Sequence, residues 1–310
     1  MISFICTVLN EEKTIGDFLD SLLSQTRLPD EIIICDGGST DRTVEKIQNS
    51  NFKFQNHSLK LKIKKGGNLN RSQGRNEAIK QAKGDIIVAS DAGCILDKHW
   101  LEEITKPFGK DKTLDVVGGF YLPAGESIFQ KILGLLTSIP LEKVNPLTFL
   151  PSSRSIAFKK SAWKKVGGYP KDLNYCEDLV FDLKLKKAGL KFAFAPRAIV
   201  FWPQKKTLKG AIKQFFNYAV GDGMAAQNGP HFKKILFKIF LTILLAILLF
   251  LSKNAAFIGL LACLGYLGIK AIKLTSRLKN PIALPLSLFL LPILNLTIIL
   301  GFLWGLIKKK

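Results

Sequence analysis

The chain has 310 residues, and its 45 Lys and Arg outnumber 24 Asp and Glu to give a formal net charge of +21. A surplus of that size suits nucleic acid, an anionic membrane face or a phosphorylated partner. The apolar residues crowd toward the end of the chain, where 235–251, 255–269 and 282–307 are free of charge except at Lys238, which favours the membrane. Five widely separated cysteines without CxxC spacing exclude a disulfide framework and a zinc site.

Taken in order, Ile2 to Leu9 reads as a first strand, with Asn10-Glu11-Glu12 where it ends. Ile15, Phe18, Leu19, Leu22 and Leu23 then recur at helical spacing. The stretch Glu31 to Thr43, EIIICDGGSTDRT, is the most informative in the chain. Its apolar run is the length of a buried strand and stops at Asp36; Gly37 and Gly38 permit a tight turn. Ser39, Thr40 and Asp41 can cap a helix running to about Asn49. Asp36 is either a cap for that helix or a ligand contact past the carboxyl end of a strand.

Residues 50–65 are polar and lysine-rich, with one short apolar alternation. A helix over Ser72 to Ala82 follows, then the buried strand Asp85 to Ser90, which ends in Asp91. A helix around Trp100 to Phe108 and a strand over Val116 to Tyr121 come next. Alternation of this kind predicts an α/β fold with a mostly parallel sheet covered on both faces. Residues 128–150, large and apolar with Pro140 and Pro146, read equally as a core helix and loop or as a segment lying on a bilayer. Ser155 to Phe158 reads as a strand, Ser161 to Val166 as a short helix, Glu177 to Ala188 as an amphipathic helix, and 208–220 as a helix beside the membrane. Gly221-Asp222-Gly223 reads as a turn in preference to an acceptor contact. Trp202 is a candidate for the rim of an acceptor site or for plain packing.

Two strands therefore end in an aspartate, Asp36 and Asp91, and the pair Glu177-Asp178 opens a helix. Acids at strand ends and in first helical turns are common singly. Gathered at one edge of a sheet, they form an acidic cleft that needs a cation or ligand donors to compensate it.

With those residues in view, the chain resembles an inverting family 2 glycosyltransferase with the GT-A fold. Thr7–Glu12 (TVLNEE), Asp36–Thr43 (DGGSTDRT), Arg71–Ala78 (RSQGRNEA), Asp91–Gly93 (DAG), Gly167-Gly168-Tyr169 and Glu177-Asp178 match in order, across residues 1–220. The resemblance implies transfer of a sugar from a nucleotide-sugar donor, UDP-type favoured, to a membrane-associated lipid, polyprenyl-phosphate or glycan acceptor. It implies that Asp36 pairs with the base N3–H, that Thr7 lines the same pocket, and that Asn10 and Glu11 lie beside the nucleotide. Asp178 would be the catalytic base with Glu177 beside it. Arg71 and Arg75 are diphosphate candidates or, alternatively, solvated helix positions.

Asp91 would stand near the ribose and hold a divalent cation, Mg²⁺ or Mn²⁺. The second acid of the family's DXD motif is absent, Gly93 taking its place. Processive members carry QxxRW before a membrane helix; here the place reads Gln214-Phe215-Phe216-Asn217-Tyr218, which favours a single transfer. The alternative reading is an inactive, membrane-anchored nucleotide-sugar binder.

The expected organisation is a cytoplasmic catalytic domain over 1–228 and a membrane domain over 229–310, with spans near 235–251, 255–272 and 282–307. No cationic leader precedes the first strand, so the catalytic domain is expected to stay in the cytoplasm of a multi-pass cell-membrane protein. The lysine clusters lack a nucleic-acid motif and interleaved aromatics, so they are expected to meet anionic headgroups and not nucleic acid. Lys233, Lys234, Lys270, Lys273 and Arg277 fit a cytosolic side, and three spans put the C-terminus outside.

Overall fold

The computed structural model describes residues 1–56, 60–225 and 232–308. The chain divides into two compact units, one of residues 1–123 and 138–203, the other of 124–137 and 204–310. The expected domain boundary after residue 228 lies outside the described residues.

In the first unit the chain runs β1 (Ile2–Val8), α1 (Ile15–Leu23), β2 (Glu31–Asp36), α2 (Thr43–Asn56), β3 (Lys60–Lys65), α3 (Arg71–Gln81), β4 (Ile86–Ala89), β5 (Ile95–Leu96), α4 (Trp100–Lys110) and β6 (Val116–Ala124). After α5 (Ile128–Thr137), which belongs to the second unit, come β7 (Ile156–Lys159), α6 (Lys160–Lys165), α7 (Glu177–Lys187) and β8 (Phe192–Pro203). The eight strands form one sheet in the order β3-β2-β1-β4-β7-β6-β8-β5.

Strands β3, β2, β1 and β4 are parallel, as the alternation of strands and helices predicts. The other half differs: β7 runs antiparallel to β4 and β6, and β5 antiparallel to β8, so the sheet is mixed. The parallel arrangement stops where the strand–helix–strand units stop, after β4. β5 and β8 carry no sequence signal of their own, the first because it is two residues long.

All six residues of β2 are buried, because both faces of the sheet are covered. Phe4, Phe18, Ile32, Ile34 and Trp100 pack on one face; Ile5, Ile33, Ile79, Phe158 and Phe181 pack on the other. Burial on two sides explains why these strands are continuous apolar runs instead of alternating ones. At the amino edge, the Glu31 carboxylate takes hydrogen bonds from Ser3 Oγ (2.7 Å), the Lys83 N–H (2.5 Å) and Lys62 Nζ (2.7 Å). Burial pushes Glu31 up, but those donors and the Lys62 charge outweigh it and hold the group below its ordinary value.

The second unit holds α5, α8 (Leu208–Ala225), α9 (Phe232–Leu251), α10 (Lys253–Leu278) and α11 (Ala283–Lys308). Ile132 and Leu133 of α5 are buried with Ala211, Phe215, Ala271 and Leu290. The first part of 128–150 is thus a core helix of this unit, and residues 138–150 belong to the first unit. Gly221-Asp222-Gly223 does not turn the chain; it lies inside α8. The reason is packing: a Cβ at Gly301 would stand 2.5 Å from the Phe216 carbonyl oxygen, and one at Gly305 would strike that of Val220. Small residues let the two backbones touch, side by side and running the same way. Helices α10 and α11 are long and apolar enough to cross a membrane. Phe257, Ile258, Leu261, Phe289 and Leu300 point outward from them.

Candidate functional site

The site is built at the carboxyl edge of β2, β1 and β4. Val8 pairs with Asp36, so β1 and β2 end level with one another and their following loops meet. Asn10 adopts a left-handed conformation (φ 56°). Its Oδ1 accepts the Thr40 N–H at 2.9 Å, and its own N–H donates to Ser39 Oγ at 3.0 Å. The Glu11 N–H donates to Thr43 Oγ1 at 2.7 Å. The loop after β1 is thereby stitched to the loop after β2.

Asp36 is buried at the end of β2 and accepts the N–H groups of Gly38 and Ser39 at 3.1–3.2 Å. Gly38 sits at φ +105°, which suits glycine and lets the turn close on the carboxylate. Both donors belong to the turn and not to α2, which begins at Thr43, so Asp36 closes the turn and does not cap that helix. A carboxylate offers about four acceptor positions, so these two donors do not exhaust it. Thr7 is half-buried one residue before the end of β1.

The other expected residues converge in a charged cluster. Helix α3 starts with a reciprocal cap between Asn70 and Gln73, which fixes its first turn and hence Arg71 and Arg75. Arg75 is buried, with Nη1 donating to Glu177 Oε1 and Nη2 to Asp91 Oδ1, both at 2.6 Å. Its two edges tie the end of β4 to the start of α7. Arg71 Nη1 lies 3.8 Å from the same Glu177 oxygen and is more open to solvent. Of the two arginines expected at a diphosphate, Arg75 is committed to carboxylates and Arg71 is accessible.

Burial pushes Asp91 up, but Arg75, Arg71 and Arg154 overcome it and bring the group down to about 2. It is a fixed anion at any physiological pH. Burial raises Glu177 above its ordinary value in spite of Arg75, with the Asp178 charge adding to the effect. Asp178 is half-buried; its Oδ2 accepts from Ser152 Oγ at 3.1 Å and from the Ser153 N–H at 3.4 Å.

Arg154, Ser152 and Tyr121 belong to this cluster and escape sequence reasoning. Arg154 Nε stands 4.0 Å from Asp91 Oδ2, and Nη1 donates to Ser152 Oγ at 2.9 Å. Its guanidinium lies 4.0 Å over the Trp202 ring and 5.2 Å from that of Tyr121. The only available signal was a basic residue immediately before the strand predicted from Ser155. Trp202, expected either at a rim or in plain packing, turns out to be the platform under this arginine.

No three His, Cys, Asp or Glu side chains gather into a metal-holding group among the described residues. Asp91 has a guanidinium beside each oxygen. Mg²⁺ can be bound by one carboxylate when substrate phosphates and water complete its shell. The donor set here fits a cation only in that form, shared with a diphosphate.

The family model for Glycosyl transferase family 2 matches residues 3–164, more than half of the chain. The poly-beta-1,6-N-acetyl-D-glucosamine synthase of Staphylococcus epidermidis is 30% identical over 236 residues, covering 71% of this chain and 54% of that protein. The chain thus spans about half the length of that relative. A dolichyl N-acetyl-alpha-D-glucosaminyl phosphate 3-beta-D-2,3-diacetamido-2,3-dideoxy-beta-D-glucuronosyltransferase of Methanococcus voltae is 28% identical over 325 positions, covering 99% of this chain and 97% of its own. Among solved structures, the mannosyltransferase PcManGT of Pyrobaculum calidifontis, in complex with GDP-Man and Mn²⁺, superposes with a TM-score of 0.64 at 19% identity, over 100% of this chain and 88% of that one. S. aureus TarS 1–349 in complex with UDP-GlcNAc gives 0.52 at 18% identity, over 97% and 90%. These likenesses carry the fold.

Proposed function

The chain belongs to glycosyl transferase family 2, and we propose that it moves one sugar, with inversion, from a nucleotide-sugar donor to a lipid-linked or other membrane-associated acceptor. The observation that carries this reading is the network at the carboxyl edge of the sheet in which Arg75 joins Asp91 to Glu177, with Asp178 next to Glu177 at the start of α7. Asp36, Thr7, Asn10 and Glu11 bind the nucleoside at the ends of β1 and β2. A UDP-type donor is favoured because the remaining acceptor capacity of Asp36 suits the N3–H of a uracil ring. The Methanococcus relative, matched over nearly its whole length, supports a lipid-linked acceptor.

In the reaction, Asp178 takes the proton of the acceptor hydroxyl as that oxygen attacks the anomeric carbon. The bond from that carbon to the diphosphate oxygen breaks on the opposite side, and its electron pair leaves with the nucleoside diphosphate. Ser152 Oγ and the Ser153 N–H aim the carboxylate of Asp178. Arg71 beside Glu177 and Arg154 beside Asp91 present positive charge to the leaving group. Asp91, together with the diphosphate, would hold a divalent cation, which would supply charge neutralisation to the leaving group.

Incubating the purified protein with radiolabelled nucleotide sugars and a membrane lipid extract tests the proposal directly. Label passing into the lipid or glycan fraction is the expected result. Tight binding without transfer or hydrolysis would instead favour an inactive binder, the reading that Gly93 suggests. In a titration with the nucleoside diphosphate, Asp36→Asn is expected to lose roughly 1.5–3 kcal/mol of binding, the size of one charge-assisted hydrogen bond. An unchanged affinity removes Asp36 from the site.

Helices α9, α10 and α11 are proposed as three spans, with the catalytic unit in the cytosol, where nucleotide sugars are found. The loop at Ser252 is too short for anything but a tight turn between α9 and α10. Three of the four basic residues of α10, Lys270, Lys273 and Arg277, lie toward its C-terminal end, as the positive-inside rule asks. This topology puts the end of α11 outside; Lys309 and Lys310 lie outside the described residues. A tag placed after Lys310 is expected to react with an impermeant label on intact cells, and protection of the tag would count against three spans.

A further inference from the structure

Helix α7 carries a third acid that the proposed reaction does not use. Asp182 follows Asp178 by one helical turn and is completely buried. Neither of its carboxyl oxygens has a hydrogen-bond partner among the described residues. Its neighbours Phe181 and Leu185 belong to the apolar core that also holds Phe158 and Tyr169. An isolated carboxylate in such a place costs many kcal/mol, and the usual escape is to take up a proton.

Tyr169 reaches from the apolar core around Asp182 to the residues that aim Asp178. Its ring stacks on Phe181 at 4.0 Å and faces the Arg75 guanidinium at 5.4 Å. Its hydroxyl lies 3.0 Å from Ser153 Oγ, and the Ser153 N–H is one of the donors that aim Asp178. Of the titratable groups that act on Asp182, Asp178 and Lys186 stand on its own helix, and Tyr169 comes from the segment between α6 and α7. Burial raises Asp182 well above the ordinary carboxyl range, the Asp178 charge adds to this, and Lys186 opposes it.

We propose that Asp182 stands protonated beneath Asp178 as a positioning residue, a neutral acid that leaves Asp178 the only anion on that face of α7. The inference rests on Asp178 being the base. A second negative charge one turn below would repel Asp178 and disturb the Tyr169–Ser153 pair that orients it. The sign of the pH dependence follows: a group raised in the folded state stabilises that state below its unfolded value, and the benefit is lost as pH rises through the folded value. Alkali should therefore harm both activity and stability through Asp182.

The test is infrared difference spectroscopy of the full-length protein in detergent, paired with pH profiles of kcat for wild type and Asp182→Asn. At neutral pH the wild type is expected to show the carbonyl band of an un-ionised carboxylic acid, absent from Asp182→Asn and lost from wild type as pH rises. Wild-type kcat should fall by about tenfold per pH unit beyond that ionisation, as for any single essential proton. Asp182→Asn, neutral at every pH, should keep wild-type activity near neutrality and lack that limb. No protonated-acid band in wild type overturns the proposal, even if the variant fails to fold, and so do identical alkaline limbs in the two proteins. The base assignment fails separately, if Asp178→Asn keeps its turnover, whatever the infrared spectrum contains.

Discussion

Replacing Asp178 by Asn is expected to lower transfer by about 10²- to 10⁴-fold, the usual contribution of a positioned general base. The amide keeps the shape of the side chain and can still accept the hydrogen bonds from Ser152 and Ser153. The Arg75 network beside it contains Glu177 and Asp91 but not Asp178, so the donor site is left intact. A titration should therefore give wild-type affinity for the nucleoside diphosphate while kcat collapses. Glu177→Gln supplies the contrast. If that variant loses turnover through chemistry alone and Asp178→Asn does not, the base is Glu177.

The largest effect on stability is expected from Arg75→Met. Arg75 is the one group that compensates both Asp91 and Glu177 at 2.6 Å, and it does so in a buried position. Methionine has comparable length and no charge, so the substitution leaves two acids facing one another with only Arg71 and Arg154 at 3.8 and 4.0 Å. Removing one partner from a buried pair typically costs 3–5 kcal/mol. For a unit of this size each kcal/mol lowers the melting temperature by roughly 2–4 °C, so a fall on the order of 6–20 °C should appear in a thermal scan. A drop of about 2 °C or less would mean that the pair contributes little net stability and that Arg75 is kept for another purpose.

How much of this could be read from the residues differs between the two halves of the sheet. The strands β1, β2 and β4 are buried on both faces, and their apolar runs end at Asn10, Asp36 and the approach to Asp91. Such strands announce themselves, and so do the acids at their ends. β8 does not, because Pro196 and Arg197 interrupt it and exposed residues alternate irregularly with buried Ala195, Ala198 and Val200. A proline within a run argues against a strand unless its N–H position is free, so the pattern misleads.

The site divides in the same way. Asp36, Asp91, Glu177 and Asp178 are legible as acids at the ends of elements. Arg154 is not, because its place depends on Trp202 of β8 and Tyr121 of β6, brought together only by the fold. Arg75 is legible as a residue but not in its task, since nothing in its spacing says that Glu177 and Asp91 will meet at its two edges. Gly221 and Gly223 suggest a turn on composition. They are helical because Gly301 and Gly305 of α11 admit the backbone of α8 at contact distance, and no local rule contains that partner.

The seam between the loops after β1 and β2 bears on how tightly a donor can bind. Three hydrogen bonds, Asn10 to Thr40 and Ser39 and Glu11 to Thr43, tie the two loops to each other. A loop that must be frozen on binding subtracts its lost freedom from the affinity, at about 0.5–1.5 kcal/mol for each immobilised side chain. In the proposed reaction the hydrogen bonds between the loops would limit that loss, so less of the nucleoside's interaction energy would go into ordering them and more would remain to hold the sugar in line with the incoming hydroxyl.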